Sequence, residues 1–177
     1  KLPNLSGTTH WNLGLFRARL GDDIYGVATS NSTGFFQNIG ATRREGVEAS
    51  FKYQSERWSA YATYSWGMAT FESPLLLSSE NNPFADANGN IHVVPGDRLP
   101  GIPQHQLKAG VDFRIVPKVV VGAVVSYYSS QFLRGDEANL APTIPGHAVV
   151  NLHGSYAPTK LVELFANVQN VFDARYA

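Results

Sequence analysis

The sequence has 177 residues, and its 14 Lys and Arg balance its 14 Asp and Glu, so no net charge directs it towards nucleic acid or an anionic surface. It contains no cysteine, which excludes disulfides, thiol catalysis and thiolate metal sites. The longest apolar run, "VVVGAVV" at 119–125, is far shorter than the roughly 20 residues of a membrane-spanning helix. With 12% aromatic residues, 16 Gly and 10 Pro, the composition favours an all-β chain.

Alternation of polar and apolar residues predicts seven β-strands. The clearest case is "QHQLKAGVDFRI" at 104–115, where apolar side chains occupy every odd position except His105 and polar ones every even position except Gly110. A period of two places these sets on opposite faces of a strand, whereas a helix would scatter them around its axis. In chain order the predicted strands are 9–20, 35–55, 57–71, 104–116, 119–130, 146–157 and 160–172. The first is less well sorted, because Arg17 and Arg19 share a face with Leu13 and Leu15.

The connections between the predicted strands alternate between long and short. Outer-membrane barrels have long loops on the outside and short turns on the periplasmic side, and their tilted strands need about 9–11 residues to cross. The sequence therefore predicts an antiparallel transmembrane β-barrel segment. The long connections are 21–34, 72–103 and 131–145, and the short ones lie near 54–56, 117–118 and 158–159.

Periodicity alone does not say which face is outside, so a soluble β-sandwich and a lipocalin-like barrel with an inward apolar face stay open. Small residues on the apolar face and aromatic residues near the strand ends favour the membrane, because interfacial aromatic girdles are typical of membrane barrels. The candidate girdle residues are Trp58, Trp66, Tyr127, Tyr156 and Phe172.

Four stretches resemble, in the same order, the C-terminal barrel of the TonB-dependent outer-membrane receptors. They are "NIGATRREGVEASFKY" (38–53), "PGDRLPGIPQHQLKAGVDF" (95–113), "IPGHAVVNLHGSYAP" (144–158) and "VELFANVQNVFDARYA" (162–177). The last contains the near-terminal signature of the family, formed by Asn170, Val171, Phe172, Asp173 and Tyr176. Each match alone is weak, and the four in order make the resemblance specific.

The resemblance implies that residues 1–177 are the C-terminal portion of a 22-stranded barrel, without the plug domain and the last strand. Receptors of this family lie in the bacterial outer membrane, in contact with its lipid. They import nutrient chelates with energy passed on by the TonB protein through the plug. The resemblance therefore implies TonB-energised uptake, of a ferric siderophore above all, with no catalysis, no cofactor and no nucleic-acid partner.

Two other functions remain as alternatives. One is a passive porin or a small stand-alone barrel, and the other is an outer-membrane hydrolase of the phospholipase type. The sequence has no Gly-x-Ser-x-Gly nucleophile elbow and no glycine-rich phosphate loop. In a receptor, ligand contacts come from the long loops. The loop residues able to stack on or pair with an anionic chelate are Phe84, His92, Arg98, Phe132 and Arg134.

The histidines and one Asp/Asn-rich stretch are the candidate metal sites of the sequence. His147 and His153 share a predicted face but lie about 20 Å apart along a strand, which is too far for one ion. "DANGNIH" at 86–92 has oxygen side chains at alternate positions, but its glycine is fourth rather than sixth and no Glu follows at the twelfth. We therefore expect no resident metal, and we interpret 86–92 as a solvated turn.

Overall fold

The computed structural model describes residues 7–28 and 34–176. Throughout these two ranges the secondary structure consists of strands, turns and irregular chain, and no helix is long and apolar enough to cross a bilayer. The strands are β1 Gly7–Leu20, β2 Ile24–Ala28, β3 Gly34–Asn38, β4 Thr42–Ser55, β5 Trp58–Phe71, β6 Leu75–Ser78, β7 Asn90–Val93, β8 His105–Val116, β9 Val119–Tyr128, β10 His147–Tyr156 and β11 Leu164–Val168.

Seven of these strands form one antiparallel sheet in the order β1-β4-β5-β8-β9-β10-β11. This order is the order of the chain, with the loop strands left out, so each strand pairs with the one before it in the sheet. The prediction of an all-β antiparallel fold with seven main strands is confirmed. The short turns join β4 to β5, β8 to β9 and β10 to β11 at one end, and the long loops lie at the other.

Two predicted strands are longer than those in the structure. The range 35–55 is broken after Asn38, because the Asn38 side chain accepts a hydrogen bond from the Gly40 backbone amide at 2.8 Å and Gly40 adopts a φ of 71°. This turn separates β3, which pairs with β2, from β4. The range 160–172 shortens to β11, which is followed by a turn with Asn170 at a φ of 51°.

Of the four short strands, β2, β6 and β7 lie in predicted loops, and β3 lies within the predicted strand 35–55. β2 and β3 form a hairpin between β1 and β4, and β6 and β7 form another between β5 and β8. Residues 29–33 of the first loop lie outside the described part of the chain. Both hairpins contribute buried residues to the cluster around Phe71 at the loop end of the main sheet, Val27 from the first and Leu77, Ile91 and Val93 from the second.

One face of the main sheet is apolar from edge to edge. Direct cross-strand partners share a face, so the pairing aligns the row Ala62, Ala109, Val125 and Val150. The edge strand β1 extends this face with Trp11, 72% exposed, and Leu15, 77% exposed. Apolar exposure on this scale is far beyond what scattered surface residues give, and it fits a surface covered by lipid.

Aromatic residues bound this apolar face at both ends. Trp58 packs on Phe113 with ring centroids 4.4 Å apart near the short turns, and Trp66 and Tyr127 lie near the loops. Trp58 and Trp66 are eight residues apart, about 27 Å along the strand, which a tilt of about 40° reduces to about 21 Å. This height is close to the roughly 25 Å apolar band of an outer-membrane barrel.

Charged and apolar residues share a face of β1 because the strand is longer than the apolar band. Leu15 pairs with Val47 in the row that includes Trp66, whereas Arg17 is one row further out and opposite Glu45. The Arg17 Nε and Glu45 Oε2 atoms are 3.5 Å apart. The charged end of β1 therefore lies outside the apolar band.

The buried core lies among the loops rather than in the sheet. Ala69 and Phe71, at the end of β5, belong to the polar face of the main sheet, and the loops fold over them. Phe71 is fully buried and packs edge-on against Tyr25 with ring centroids 6.1 Å apart. The cluster, which we call the loop core, consists of Val27, Ile39, Ala69, Phe71, Leu77, Ile91, Val93, Leu99 and Ala138.

Candidate ligand-binding site

The Asn139 side chain joins the second and third long loops by pairing with the Arg98 backbone, as a neighbouring strand would. The Asn139 amide accepts a hydrogen bond from the Arg98 backbone N–H at 2.6 Å and donates one to the Arg98 carbonyl at 2.9 Å. Asn139 has a φ of 54°, a left-handed conformation that Asn tolerates better than most residues. Each of these hydrogen bonds contributes about 0.5–1.5 kcal/mol. Asn139 therefore fixes the relative position of the two loops.

A second contact between the same loops surrounds the buried carboxylate of Asp136. Asp136 accepts hydrogen bonds from the backbone amides of Leu140 and Ala141 at 2.9 and 3.0 Å. Next to it, the Gly135 carbonyl accepts hydrogen bonds from the Ser79 hydroxyl at 2.6 Å and the Asn82 amide at 2.7 Å. These bonds satisfy the polar groups that loop packing buries, which is the condition for burying them at low cost.

The first loop is attached through Tyr25. Its hydroxyl donates a hydrogen bond to Glu137 Oε1 at 3.0 Å, and the Gly135 backbone amide donates to the same oxygen at 3.0 Å. Burial raises the pKa of Tyr25 well above its ordinary value, and the neighbouring Glu137 carboxylate raises it further. All three long loops thus form one packed unit at the outer end of the sheet.

The structure brings two of the five predicted ligand residues together. The Arg98 guanidinium lies over the Phe132 ring, 5.1 Å from its centroid. Thr70 and Arg98 are bridge partners, so the Arg98 side chain is on the face of the sheet opposite to Phe71. Burial lowers the pKa of the Arg98 guanidinium below its ordinary value. This cation–π pair packs one loop on another on the outer side of the wall.

The other three predicted residues lie apart from that pair. The Arg134 guanidinium is 6.0 Å from the centre of the Tyr25 ring, so it belongs to the contact with the first loop. His92 is exposed on β7, with Nε2 at 3.8 Å from Asp86 Oδ2, and Phe84 is 53% exposed. The structure therefore distributes the five residues over three places on the loop unit, and their role in binding a ligand stays a prediction.

The stretch 86–92 forms a turn held by its own backbone. Asp86 Oδ1 accepts hydrogen bonds from the backbone amides of Asn88 at 2.8 Å and Asn90 at 3.0 Å. These two bonds, that from Asn90 first, lower the pKa of the Asp86 carboxyl below its ordinary value. No group of three or more potential metal ligands is found within residues 7–28 and 34–176. The Asp86 carboxylate thus accepts the hydrogen bonds that hold this turn.

The polar face of the main sheet contains a groove of about 590 Å³. Because side chains alternate between the two faces of a strand, the polar residues of the groove lie on the face opposite the apolar band. In a barrel this face is the inner wall. Glu48 and Lys108 are its charged members, and neither lies within 4 Å of an opposite charge in the part of the chain that the structure describes. The polar lining is Asn12, Glu48, Ser50, Thr63, Ser65, Gln106, Lys108 and Tyr128.

Sequence reasoning missed the residues that shape the loop unit. Tyr25, Glu137 and Asn139 are not among the predicted ligand residues. A signal was present for one of them, because Asn is prominent among the residues that adopt left-handed turns. Nothing in the sequence pointed to Tyr25 and Glu137, which are 112 residues apart.

Comparison with known proteins identifies the family. The sequence model described as "TonB dependent receptor-like, beta-barrel" matches residues 2–171. This chain belongs to that family. Its members are outer-membrane β-barrel proteins of Gram-negative bacteria, which confirms the predicted location.

Two relatives show the range of the family. The "Heme/hemopexin utilization protein C" of Haemophilus influenzae is 26% identical over 163 residues, which are 89% of this chain and 20% of the relative. The "Probable TonB-dependent siderophore receptor PiuA" of Acinetobacter baumannii is 22% identical over 142 residues, 80% of this chain and 18% of the relative. The chain spans about a fifth of the length of these curated relatives.

A solved structure supports the fold directly. The ferric-catecholate import receptor Fiu of E. coli superimposes with a TM-score of 0.67, at 22% sequence identity, over 95% of this chain and 21% of the receptor. At this identity the likeness concerns the fold. The seven-stranded wall therefore corresponds to a segment of a TonB-dependent receptor barrel.

Proposed function

We propose that this chain forms part of an outer-membrane receptor that imports an iron chelate with energy from TonB. The observation that supports this function best is the family match over residues 2–171, taken with the closed packing of the three long loops at one end of the wall. Such a packed unit provides a shaped outer surface for a ligand, and the groove on the inner wall begins a path below it.

The printed functions of the relatives support iron as the nutrient. One relative is named for haem and hemopexin utilization, another for a siderophore, and the superimposed structure for a ferric catecholate. Each of these names describes iron held in an organic complex. We propose the same class of cargo for this receptor, a ferric siderophore being the first choice.

We also propose that the chain has no catalytic role. In support, His153 Nε2 is hydrogen bonded to Asp112 Oδ1 at 2.6 Å over the backbone of Gly122, so this pair joins strands of the inner wall. His105 instead pairs with the Tyr64 hydroxyl at 2.8 Å. Among the residues that the structure describes, no serine hydroxyl is hydrogen-bonded to an imidazole.

Uptake of radioactive iron tests the proposal. Cells that express the protein at its natural full length should accumulate iron from a ferric siderophore or from haem. Deletion of TonB should abolish this accumulation. A passive porin would admit small solutes without TonB and would conduct in a planar bilayer as soon as it is inserted. TonB-independent uptake together with such conductance would contradict the proposal and favour the porin.

A further inference from the structure

A ladder of three rings lies on the inner wall below the loops. Tyr128 and His147 are direct cross-strand partners with ring centroids 5.4 Å apart, and Tyr176 stacks on the other side of His147 at 4.6 Å and an interplanar angle of 10°. Side chains alternate between the two faces along each strand, and the strand register places Tyr128 and His147 on the same face as Gln106 and Glu48. This face is opposite the apolar band. Tyr127, one of the aromatic residues that bound the apolar face near the loops, directly precedes Tyr128. The ladder therefore lies next to that aromatic row.

The turn after β11 brings Tyr176 into this position. Asn170 donates through Nδ2 to the Ala174 carbonyl at 3.0 Å and accepts from the Ala174 amide at 2.9 Å. Its own backbone amide donates to Asn151 Oδ1 at 2.8 Å, which attaches the turn to β10. Asn170 and Asp173 both adopt positive φ, at 51° and 49°. The turn is therefore preorganised, and it places the Tyr176 ring on top of His147.

The ladder borders a cavity of about 360 Å³ that adjoins the larger groove, since Gln106 and Tyr128 line both. Among the residues that the structure describes, its lining combines rings with neutral hydrogen-bonding groups and includes no Lys, Arg, Asp or Glu. A cavity of this kind suits a flat group with polar edges, because stacking needs a π-face and the amides can reach the edge. The lining residues are Pro103, Gln106, Tyr128, Ser129, Gln131, Ile144, Pro145, His147 and Tyr176.

We propose that this cavity binds a planar aromatic group of the imported chelate, stacked on the Tyr128–His147–Tyr176 ladder. The inference rests on the proposed function and goes beyond it by naming the chemical class that the site selects. Two sources offer such a group, the catechol rings of an aryl siderophore and the porphyrin of haem. Chelates built from aliphatic hydroxamates have no ring to stack and would bind without using the ladder.

Binding measurements on the full-length protein in detergent test this. The probes are a ferric catecholate, haem, and a ferric hydroxamate without aromatic rings. Replacing Tyr176 by Leu removes the ring and keeps an apolar side chain, and we expect Kd for the aromatic probe to rise about three- to tenfold, the value of one aromatic contact. Tyr176→Phe keeps the ring, so it should bind the aromatic probe more tightly than Tyr176→Leu does. The probe that the unchanged protein binds identifies the source of the ring.

Four results would overturn the inference. Tyr176→Leu would contradict it by leaving the affinity for the aromatic probe unchanged. Equal weakening of the hydroxamate probe would show that the ring only supports the fold, and heat-modified electrophoretic mobility of each variant checks folding independently. Binding of the hydroxamate alone by the unchanged protein would refute the aromatic site and leave iron uptake standing. If none of the three chelates binds, the proposed function fails as well.

Discussion

Asp112 and His153 are hydrogen bonded across the strand that lies between them. Their Oδ1 and Nε2 atoms are 2.6 Å apart, although Asp112 is on β8 and His153 on β10, with Gly122 of β9 paired to both. A Cβ atom at position 122 would overlap both polar atoms. The glycine therefore leaves the space in which two side chains meet over its backbone, and three strands are joined by one polar contact on the inner wall.

Gly122→Ala should separate this pair and destabilise the wall. The methyl group occupies the space of the hydrogen bond, so both partners lose a contact on the inner face, at a cost of about 1–3 kcal/mol. The measurement is the midpoint of urea unfolding of the full-length protein in detergent, followed by heat-modified electrophoretic mobility.

Gly67→Ala is the matched control. Gly67 is also a glycine in a main-sheet strand, but a Cβ there would meet nothing within 4 Å. Alanine at an open position reduces the entropy of the unfolded chain, so this variant should be neutral or more stable by up to about 1 kcal/mol. Equal destabilisation by the two alanines would mean that the space above Gly122 has no special role.

Adjacent valines on β9 test which face meets lipid. Val125 belongs to the apolar row with Ala109 and Val150, whereas Val124 pairs with Gly110 and Asn151 on the polar face. Arginine on the lipid face of a barrel costs about 2–4 kcal/mol at the midplane, and on the inner wall it is tolerated. Val125→Arg should therefore reduce assembled receptor in the outer membrane strongly, and Val124→Arg should do so much less. The fraction of heat-modifiable protein in isolated outer membranes measures this, and similar losses would reverse our assignment of the faces.

The main sheet was predictable because lipid and water enforce a strict period of two. Strand β8 shows this, since nearly every odd-numbered residue is apolar and these residues share one face. The breaks were not predictable from alternation. The range 35–55 is predicted as one strand on the alternation of its later residues, and the hydrogen bond between Asn38 and the Gly40 amide ends one strand before the next begins. Local turn chemistry overrides the pattern there.

The loop unit was less accessible to sequence reasoning, because its contacts join distant parts of the chain. The sequence predicts Arg98 and Phe132 as separate ligand residues, and the structure places one over the other. Tyr25 bonds to Glu137, and neither residue belongs to a recognisable local motif. Long-range pairing of single polar residues leaves no period in the sequence, so only the folded chain reveals it.

Asn139→Ala should loosen the loop formed by residues 131–145. The variant loses both hydrogen bonds to the Arg98 backbone, and alanine is strained at a φ of 54°. We expect a combined loss of about 2–4 kcal/mol in the free energy of local opening. Faster hydrogen exchange of the Arg98 amide and faster proteolysis within 131–145 would report it.

Asn139→Gly separates the two causes. Glycine adopts a positive φ without strain but lacks the amide, so it should show an intermediate effect. Leu140→Ala, at a neighbouring residue that is 52% exposed, should change little. If Asn139→Gly behaves like the unchanged protein, the hydrogen bonds to Arg98 do not hold the loops together.

Acid should weaken the turn at Asp86. Its pKa in the folded protein is lowered by the backbone amides of Asn90 and Asn88, so the charged form stabilises the turn above the ordinary pKa of about 3.9. That contribution is lost as the pH falls through the lowered folded pKa. Hydrogen exchange of the Asn88 and Asn90 amides, measured as the pH is lowered and corrected for the intrinsic exchange rate, should show protection decreasing in that acid range. Asp86→Asn keeps an oxygen acceptor and removes the charge, so its corrected protection should be lower at neutral pH and independent of acid. An unchanged pH dependence in Asp86→Asn would assign the acid sensitivity to another group.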